Sequence, residues 1–201
     1  SITSTNIPLL KFGFLRAGGC DLPTRFLLSR IHDANLKKLA LFLIFLDQSK
    51  AFDRVQWWHI RLTLVRFGMP ASFIKFIMSY YTSAKSCFRT AWGKTSMIEL
   101  GNGIRQGCPL SPLIYIMVMD SFHTRMRDLN VDGRIGIRWG ENFQNCDVTI
   151  GLADDTTEMS SGPDGIIRCW MATTEFCPMH GWILNPKKTE ARVNEWVTPD
   201  V

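Results

Sequence analysis

The chain is organised around the stretch Thr149-Ile150-Gly151-Leu152-Ala153-Asp154-Asp155-Thr156-Thr157. An apolar run leads here into two adjacent carboxylates, and a pair of β-branched threonines follows. Because Asp is disfavoured inside strands, the pattern predicts a strand, a turn and a second strand, with both acids at the tip. Two neighbouring carboxylates repel each other unless cations share them, which suits a site for a hard divalent metal. On this stretch alone, the turn preference of Asp favours the alternative, an ordinary Asp-rich hairpin turn.

The composition indicates a folded, basic domain. The 201 residues suffice for one good-sized core, and 46% hydrophobic with 20% charged residues is typical of a globular protein. The net charge of +5 favours an anionic partner without identifying one. The six cysteines are scattered without a C-x-x-C pair, which argues against a zinc site and predicts free thiols in an intracellular compartment, nucleus and cytoplasm both being open. The longest apolar run, Leu39 to Leu46, is too short to span a bilayer, so no membrane partner is expected.

Hydrophobic periodicity predicts an alternation of helices and strands. Helices are expected over residues 23–38, 57–67, 71–81, 109–129 and 163–177. Strands are expected over 39–46, which is apolar enough to be buried on both faces, over 86–92 and 95–100 in a hairpin about Gly93-Lys94, and over 146–152 and 156–160 around the acids. Residues 181–192 are expected to form a short strand or a turn segment. The irregular alternation predicts an α+β fold in which helices cover one face of the sheet. No repeat or linker divides the chain.

A third acid, Asp47, ends the predicted buried strand, as Asp154 ends its own. If the two strands are neighbours in one sheet, all three carboxylates reach the same edge. Three such carboxylates could hold two Mg²⁺ ions about 3.5–4 Å apart, the arrangement used for in-line displacement at phosphorus. One ion would activate an attacking hydroxyl, and the other would neutralise a triphosphate. The nearby Asp53 is interpreted instead as the start of the following helix.

A glycine-flanked segment lies between these acids in the sequence, Gly101-Asn102-Gly103-Ile104-Arg105-Gln106-Gly107-Cys108-Pro109-Leu110-Ser111-Pro112. It follows a predicted strand and opens a helix, as a dinucleotide-binding loop does, but Gln106 stands where that fingerprint needs its third glycine. What remains is a turn that runs into a helix N-terminus. Its backbone N–H groups and Gln106 are available to a nucleotide.

In this order, the three stretches resemble motifs A, B and C of reverse transcriptases, most closely those of non-LTR (LINE-type) retrotransposons. The matches are Leu46-Asp47-Gln48-Ser49-Lys50-Ala51-Phe52-Asp53-Arg54-Val55 for motif A, Arg105-Gln106-Gly107-Cys108-Pro109-Leu110-Ser111-Pro112 for motif B and Leu152-Ala153-Asp154-Asp155 for motif C. Motif D, a Gly–hydrophobic–Asn–basic–Thr segment, is matched by Gly181-Trp182-Ile183-Leu184-Asn185-Pro186-Lys187-Lys188-Thr189. Gly13 to Asp21 is similar to the segment that joins fingers to palm. A lone Ala-Asp-Asp is weak evidence, whereas four motifs in order are a specific pattern over nearly the whole chain.

The resemblance implies a polymerase palm, an antiparallel sheet backed by helices, with partial fingers and no thumb. Residues 1–201 would be a reverse transcriptase domain, in which 1–38 form the fingers-to-palm segment and 39–192 the palm with motifs A to D. The finger residues that grip a triphosphate would lie before Ser1, and the thumb after Val201. The chain is therefore expected to be a fragment of a longer parent protein, to which an endonuclease could also belong.

The implied activity is that of an RNA-directed DNA polymerase, which adds dNTPs to the 3′-hydroxyl of a DNA primer along an RNA template by two-metal phosphoryl transfer. Asp47, Asp154 and Asp155 match the metal-binding acids, with two Mg²⁺ ions as cofactors and Mn²⁺ as a substitute. Lys188 matches the motif D lysine that protonates the leaving pyrophosphate. The implied substrate contacts are Phe52, which excludes a 2′-hydroxyl, and Gln106 and Gly107, which contact the nucleotide and the template.

Alternatives to these roles remain open. Without the family, Phe52 is better explained as a core residue beside a helix start, and Lys188 as a solvated surface lysine. Leu152 stands where the family usually has Tyr or Phe at the primer end, and Gly151 is expected to weaken the strand before the acids. A second interpretation is therefore an inactive retroelement remnant with residual nucleic-acid binding. A third is another template-directed polymerase, such as a group II intron or RNA-virus enzyme, although the Lys50-Ala51-Phe52-Asp53 segment fits the LINE-type pattern better.

Overall fold

The computed structural model describes residues 21–139, 145–152 and 154–197. Gly13 to Cys20, most of the segment assigned to the fingers-to-palm junction, lies outside these residues. The helices are Asp21–Leu36 (α1), Trp57–Arg66 (α2), Ala71–Thr82 (α3), Ser111–Leu129 (α4) and Pro163–Met179 (α5). The strands are Phe42–Leu46 (β1), Lys85–Ser86 (β2), Arg89–Thr90 (β3), Gly93–Lys94 (β4), Ile98–Glu99 (β5), Ile137–Trp139 (β6), Asn145–Asp147 (β7), Thr149–Leu152 (β8), Asp155–Ser160 (β9) and Glu190–Val193 (β10).

The central element is an antiparallel sheet with the strand order β10-β1-β9-β8. Its inner strand β1 is apolar throughout, and four of its five residues are buried. In the register, Leu46 of β1 lies opposite Thr156 of β9, and Phe45 lies opposite Glu190 of β10. The predicted strand buried on both faces is therefore confirmed, although it begins at Phe42 rather than Leu39.

Alternate side chains of β1 enter two separate cores. Ile44 and Leu46 pack in the larger core, which α4 and α5 cover, whereas Leu43 and Phe45 pack in a second core that includes Ile31 of α1. The α+β class is confirmed, but the prediction that helices cover one face is wrong, because α1 covers the other. The cause is the composition of β1, since neighbouring strand side chains point to opposite faces and apolar ones need a cover on each.

Two hairpins differ from the sequence-based expectation. The first has its turn at Ala91-Trp92, and Gly93-Lys94 belongs to the returning strand β4. The second joins β6 to β7 and was not predicted, because each strand is only three residues long and shows too little alternation for a period to be recognised.

Two further findings concern the helices and the cysteines. Among the described residues, every helix is too short or too polar to cross a membrane. Cys87, Cys108, Cys146, Cys169 and Cys177 are free thiols, and Cys20 lies outside the described residues.

Strand β9 carries an ionisable side chain into the larger core. Glu158 is fully buried, and one of its carboxylate oxygens accepts a hydrogen bond from the Thr173 hydroxyl of α5. The other carboxylate oxygen has no hydrogen-bond partner among the described residues. Burial raises the pKa of Glu158 from 4.5 to about 7, and the hydrogen bond from Thr173 opposes that rise.

We expect Glu158 to make the fold less stable as the pH rises. Its carboxyl ionises near pH 4.5 in the unfolded chain and near pH 7 in the folded protein, so the folded state binds more protons between these values. Ionisation of the buried group therefore lowers the free energy of unfolding by about 3 kcal/mol between about pH 4 and about pH 8. Urea unfolding of wild type and Glu158→Gln at both pH values isolates this contribution.

The control is Glu175→Gln, which removes an exposed glutamate from α5, the helix that carries Thr173. Its pH profile should follow that of the wild type, whereas the profile of Glu158→Gln should be flatter. Parallel profiles for all three proteins would contradict the assignment.

Candidate active site

The pairing of β1 with β9 brings three acids to one edge of the sheet. Leu46 and Thr156 form the last pair of the register, so the next residues, Asp47 and Asp155, follow at facing positions. Asp154 lies beside Asp155 in the turn between β8 and β9. The sequence-based expectation that these carboxylates share an edge agrees with this register.

The charges at this edge influence one another. Burial raises the pKa of Asp155, the nearby carboxylates of Asp154 and Asp47 raise it further, and Lys188 opposes them. The Lys188 ammonium nitrogen lies 3.7 Å from Oδ1 of Asp47. Because 68% of the Lys188 side chain is exposed, water screens this ion pair and it contributes little to stability. The edge therefore keeps an excess of negative charge.

A divalent cation fits the donor chemistry of this edge. The side chains are hard carboxylates, which Mg²⁺ prefers, and their mutual repulsion is relieved by a cation. Within the described residues, no three His, Cys, Asp or Glu side chains already form a metal-binding group. The fit therefore rests on the type, charge and register position of the acids.

The motif D segment fixes the backbone around Asp47 on one side. The backbone N–H of Asn185 donates to the carbonyl oxygen of Asp47 at 2.8 Å, and that of Ser49 donates to the carbonyl oxygen of Ile183 at 2.8 Å. The N–H of Asp47 donates to the hydroxyl of Thr189 at 3.4 Å. The turn that carries Lys188 is thus attached to the first acid through the main chain.

The glycine-flanked loop fixes the following segment on the other side. The N–H of Gly103 donates to the carbonyl oxygen of Val55 at 2.8 Å, and that of Ile104 donates to the carbonyl oxygen of Phe52 at 2.9 Å. Gly103 has a φ of +87°, and a Cβ at this position would lie 2.9 Å from the carbonyl oxygen of Asp53. Only glycine allows the two backbones to approach this closely.

Gln106 and Gly107 lie exposed beyond this contact. The Gln106 amide nitrogen is 3.4 Å from a carboxylate oxygen of Asp53, so the two side chains orient each other weakly. Helix α2 begins at Trp57 with Gln56 as its N-cap. The interpretation of Asp53 as the start of that helix is therefore wrong, and its carboxylate contacts the motif B loop instead.

Phe52 is half-buried and stacks on Tyr115 of α4, with ring centroids 4.6 Å apart and planes 8° from parallel. Tyr115 is fully buried, and its hydroxyl donates to the side-chain oxygen of Gln48 at 3.2 Å. Gln48 directly follows Asp47, so the Phe52 ring is fixed relative to the acid-bearing segment. The core-residue interpretation accounts for the buried part of Phe52 and leaves an exposed part for a ligand.

Gly151 makes room for a buried histidine. A Cβ at Gly151 would lie 2.7 Å from Nε2 of His123, whose Nδ1 is 2.8 Å from the hydroxyl of Thr149. The imidazole thus packs against the strand that precedes the acids, and it offsets the weakness expected from a glycine there. The side chain of Leu152 lies outside the described residues.

Two residues of this environment, Tyr115 and His123, were not identified from the sequence. They lie on α4 with Met119 between them, at spacings of four residues, and therefore share one helix face. His123 of that face contacts Thr149 of β8, and Met119 lies 3.6 Å from the side-chain nitrogen of Gln48. The spacing signals a buried face, but only the tertiary contacts link it to the acids.

Solved structures share this architecture. The chain superposes on telomerase from Candida tropicalis in complex with the TWJ fragment of telomeric RNA, with a TM-score of 0.72, 13% identity, and coverage of 92% of this chain and 30% of that one. Apo telomerase from the same species, truncated from its C-terminal domain, gives a TM-score of 0.69 with 14% identity, 92% coverage of this chain and 36% of that one. At such identities the comparison concerns the fold alone, which this chain shares with these structures.

The chain belongs to the reverse transcriptase (RNA-dependent DNA polymerase) family, which matches residues 6–197. The Pol polyprotein from the type-1 R2 retrotransposable element of Nasonia vitripennis is 34% identical over 113 residues, which are 56% of this chain and 11% of the relative. That of the type-2 element R2DM of Drosophila melanogaster is 26% identical over 177 residues, which are 88% of this chain and 16% of the relative. The chain spans 24% or less of the length of the curated relatives it matches. The resemblance to non-LTR retrotransposon reverse transcriptases is confirmed.

We expect Gly103→Ala to destabilise the protein by about 2 kcal/mol or more. The substitution forces a residue with a side chain into the left-handed backbone conformation. It also brings the new Cβ to 2.9 Å from the Asp53 carbonyl oxygen, a clash that only a movement of the backbone can relieve. Urea unfolding measures the change. The matched control is Gly101→Ala in the same loop, where a Cβ meets nothing within 4 Å and we expect a change within about 0.5 kcal/mol. Equal losses in the two variants would refute the close contact between the loops.

Proposed function

We propose that this chain is the palm of an RNA-directed DNA polymerase, which adds dNTPs to the 3′-hydroxyl of a DNA primer on an RNA template. The observation that carries the proposal is the β1–β9 register, in which Asp47 and Asp155 face each other with Asp154 beside them. Membership of the reverse transcriptase family supplies the reaction class. Residues 39–192 would form the palm, and residues 1–38 would lead into it from the fingers.

Asp47, Asp154 and Asp155 would hold two Mg²⁺ ions, for which Mn²⁺ can substitute. When bound, such ions neutralise the triphosphate and lower the pKa of the attacking hydroxyl. The chain contributes a fixed backbone at Asp47, whose N–H and carbonyl are both hydrogen-bonded to the motif D segment. The main chain that carries the Asp47 carboxylate is therefore fixed before any cation arrives, which reduces the reorganisation that binding requires.

Lys188 would protonate the pyrophosphate as it leaves. Its ammonium carries three N–H donors, and it lies at the acid edge, 3.7 Å from Oδ1 of Asp47. The side chain is 68% exposed and can follow the leaving group. The backbone bonds between residues 183–189 and Asp47 and Ser49 keep this lysine within reach of the reaction.

Phe52 would exclude the 2′-hydroxyl of a ribonucleotide. Its ring stacks on Tyr115, which is fully buried and hydrogen-bonded to Gln48, so the ring cannot move aside without disturbing the core. Gln106 and Gly107, exposed at the start of the turn before α4, would contact the incoming nucleotide and the template. We therefore propose that the partners of this site are an RNA template, a DNA primer and dNTPs.

The alternative of an inactive remnant is not favoured. The aligned acids, the glycine at Gly103 and the filled space at Gly151 preserve the environment of the site rather than erode it. An intracellular location, with nucleus and cytoplasm both open, remains a prediction.

Primer extension tests the proposal, with the chain assayed alone and with the sequence that flanks it in its reading frame. On an RNA template with Mg²⁺, we expect extension with dNTPs and not with rNTPs. Asp154→Asn should lower the rate by about 10³-fold or more, because it removes a metal-binding carboxylate. Asp128→Asn, an exposed acid near the end of α4, is the control and should extend like the wild type. Full activity in Asp154→Asn would rule out its assigned role, and equal use of both sugars would rule out that of Phe52.

A further inference from the structure

A two-stranded arm projects between α3 and the glycine-flanked loop. It consists of residues 85–100, in which β2 pairs with β5 at the base and β3 pairs with β4 at the tip. Within the arm every residue except the half-buried Cys87 is exposed. A two-stranded ribbon without a packed face is marginally stable in water. The exposed side chains of the arm are therefore available to a ligand.

Opposite charges face each other at the base of the arm, and like charges face each other at its tip. At the base, Lys85 lies opposite Glu99, and their charged atoms are 3.1 Å apart. At the tip, Arg89 lies opposite Lys94. Like charges at facing positions destabilise a hairpin, and neither cation forms an ion pair in the described part of the chain. An anion between them would relieve this repulsion.

The turn between these cations presents an aromatic ring to solvent. Trp92 is 96% exposed. The hydroxyl of Thr90 donates to the carbonyl oxygen of Gly93 at 2.9 Å and accepts from the N–H of Trp92 at 3.3 Å, so the turn is held in one shape. Aromatic faces stack on nucleobases, and neighbouring cations bind the phosphates between them. A preformed turn of this kind binds without a large ordering cost.

We propose that the arm tip binds single-stranded nucleic acid, with a phosphate between Arg89 and Lys94 and a base stacked on Trp92. A single strand is favoured over a duplex because stacking on the indole needs a free base face. The inference extends the proposed function and rests on it. Strand β5 leads directly into the loop that Gly103 attaches to Val55, so the arm is joined through this loop to the segment that carries Asp47.

Fluorescence anisotropy with labelled oligo-dT and oligo-U of about 15 nucleotides, and with a duplex of equal length, tests the tip. Trp92→Ala should weaken single-strand binding about 5- to 100-fold without changing its salt dependence, and Trp92→Phe should restore most of the affinity. Arg89→Gln/Lys94→Gln should reduce the slope of log K against log salt by about 0.7, because the one phosphate held between these cations is lost. Duplex binding should change less.

Matched controls remove equivalent groups elsewhere. Arg127→Gln/Arg168→Gln deletes two exposed cations from α4 and α5, and Phe76→Ala deletes an aromatic ring of α3 that is 63% exposed. Both should retain the salt slope and affinity of the wild type more closely than the tip variants do. Tip variants that bind like the controls, or a wild-type chain that binds no single strand, would overturn the inference, as would a tip that binds a protein segment instead.

Primer extension on the same proteins separates this inference from the proposed function. If the wild type binds single strands but does not extend primers, and the tip variants bind more weakly, the arm assignment stands and the polymerase assignment fails. If the wild type extends primers and the tip variants bind like the wild type, the arm assignment fails alone.

Discussion

The antiparallel register between β1 and β9 is the constraint on which the rest of the structure depends. It decides that Asp47 faces Asp155, and a slip of one residue would turn Asp47 to the other face. Because β1 is apolar on both faces, polarity alone does not select this register. Contacts outside the strand pair hold each strand in place: the Glu158–Thr173 hydrogen bond attaches β9 to α5, and the motif D segment is hydrogen-bonded to Asp47 at the end of β1.

The segment from Asp47 to Val55 contacts the motif D segment, the glycine-flanked loop and α4. Residues 183–189 are bonded to its beginning and Gly103 to its end, while Tyr115 holds Phe52 from beneath. The main chain is thus fixed, whereas the carboxylates at the edge repel one another, as the raised pKa of Asp155 indicates. A rigid frame that carries unrelieved negative charge is suited to bind a cation, because binding requires little reorganisation and removes the repulsion.

Local sequence patterns predicted the elements of this site but not their contacts. The apolar run before Asp47 is a continuous stretch of sequence, and its pattern suffices to predict a buried strand. The two acids after Leu152 are likewise adjacent, and their turn propensity suffices to predict a hairpin. The packing of α1 on the second face of the sheet was not predicted, although both faces of β1 are apolar. The reason is that a helical period does not indicate which face of a sheet the helix packs against. The fit of His123 against Gly151, and that of Asp53 against Gln106, join residues far apart in the chain and leave no local signal. Thr90 likewise selects the turn at Ala91-Trp92 through a side-chain hydrogen bond, where glycine preference alone favoured the next pair of residues.

The most direct test of this account is whether the acids act as one cation site, which Mn²⁺ binding measures through the electron paramagnetic resonance signal of the free ion. The account predicts that Asp47→Asn and Asp155→Asn each weaken Mn²⁺ binding by about tenfold or more, because each removes a ligand from the same site, although Asp47 follows β1 and Asp155 begins β9. Asp128→Asn should bind like the wild type. If Asp47→Asn binds Mn²⁺ as tightly as the wild type while Asp155→Asn does not, the two acids belong to separate sites, and the central claim is contradicted.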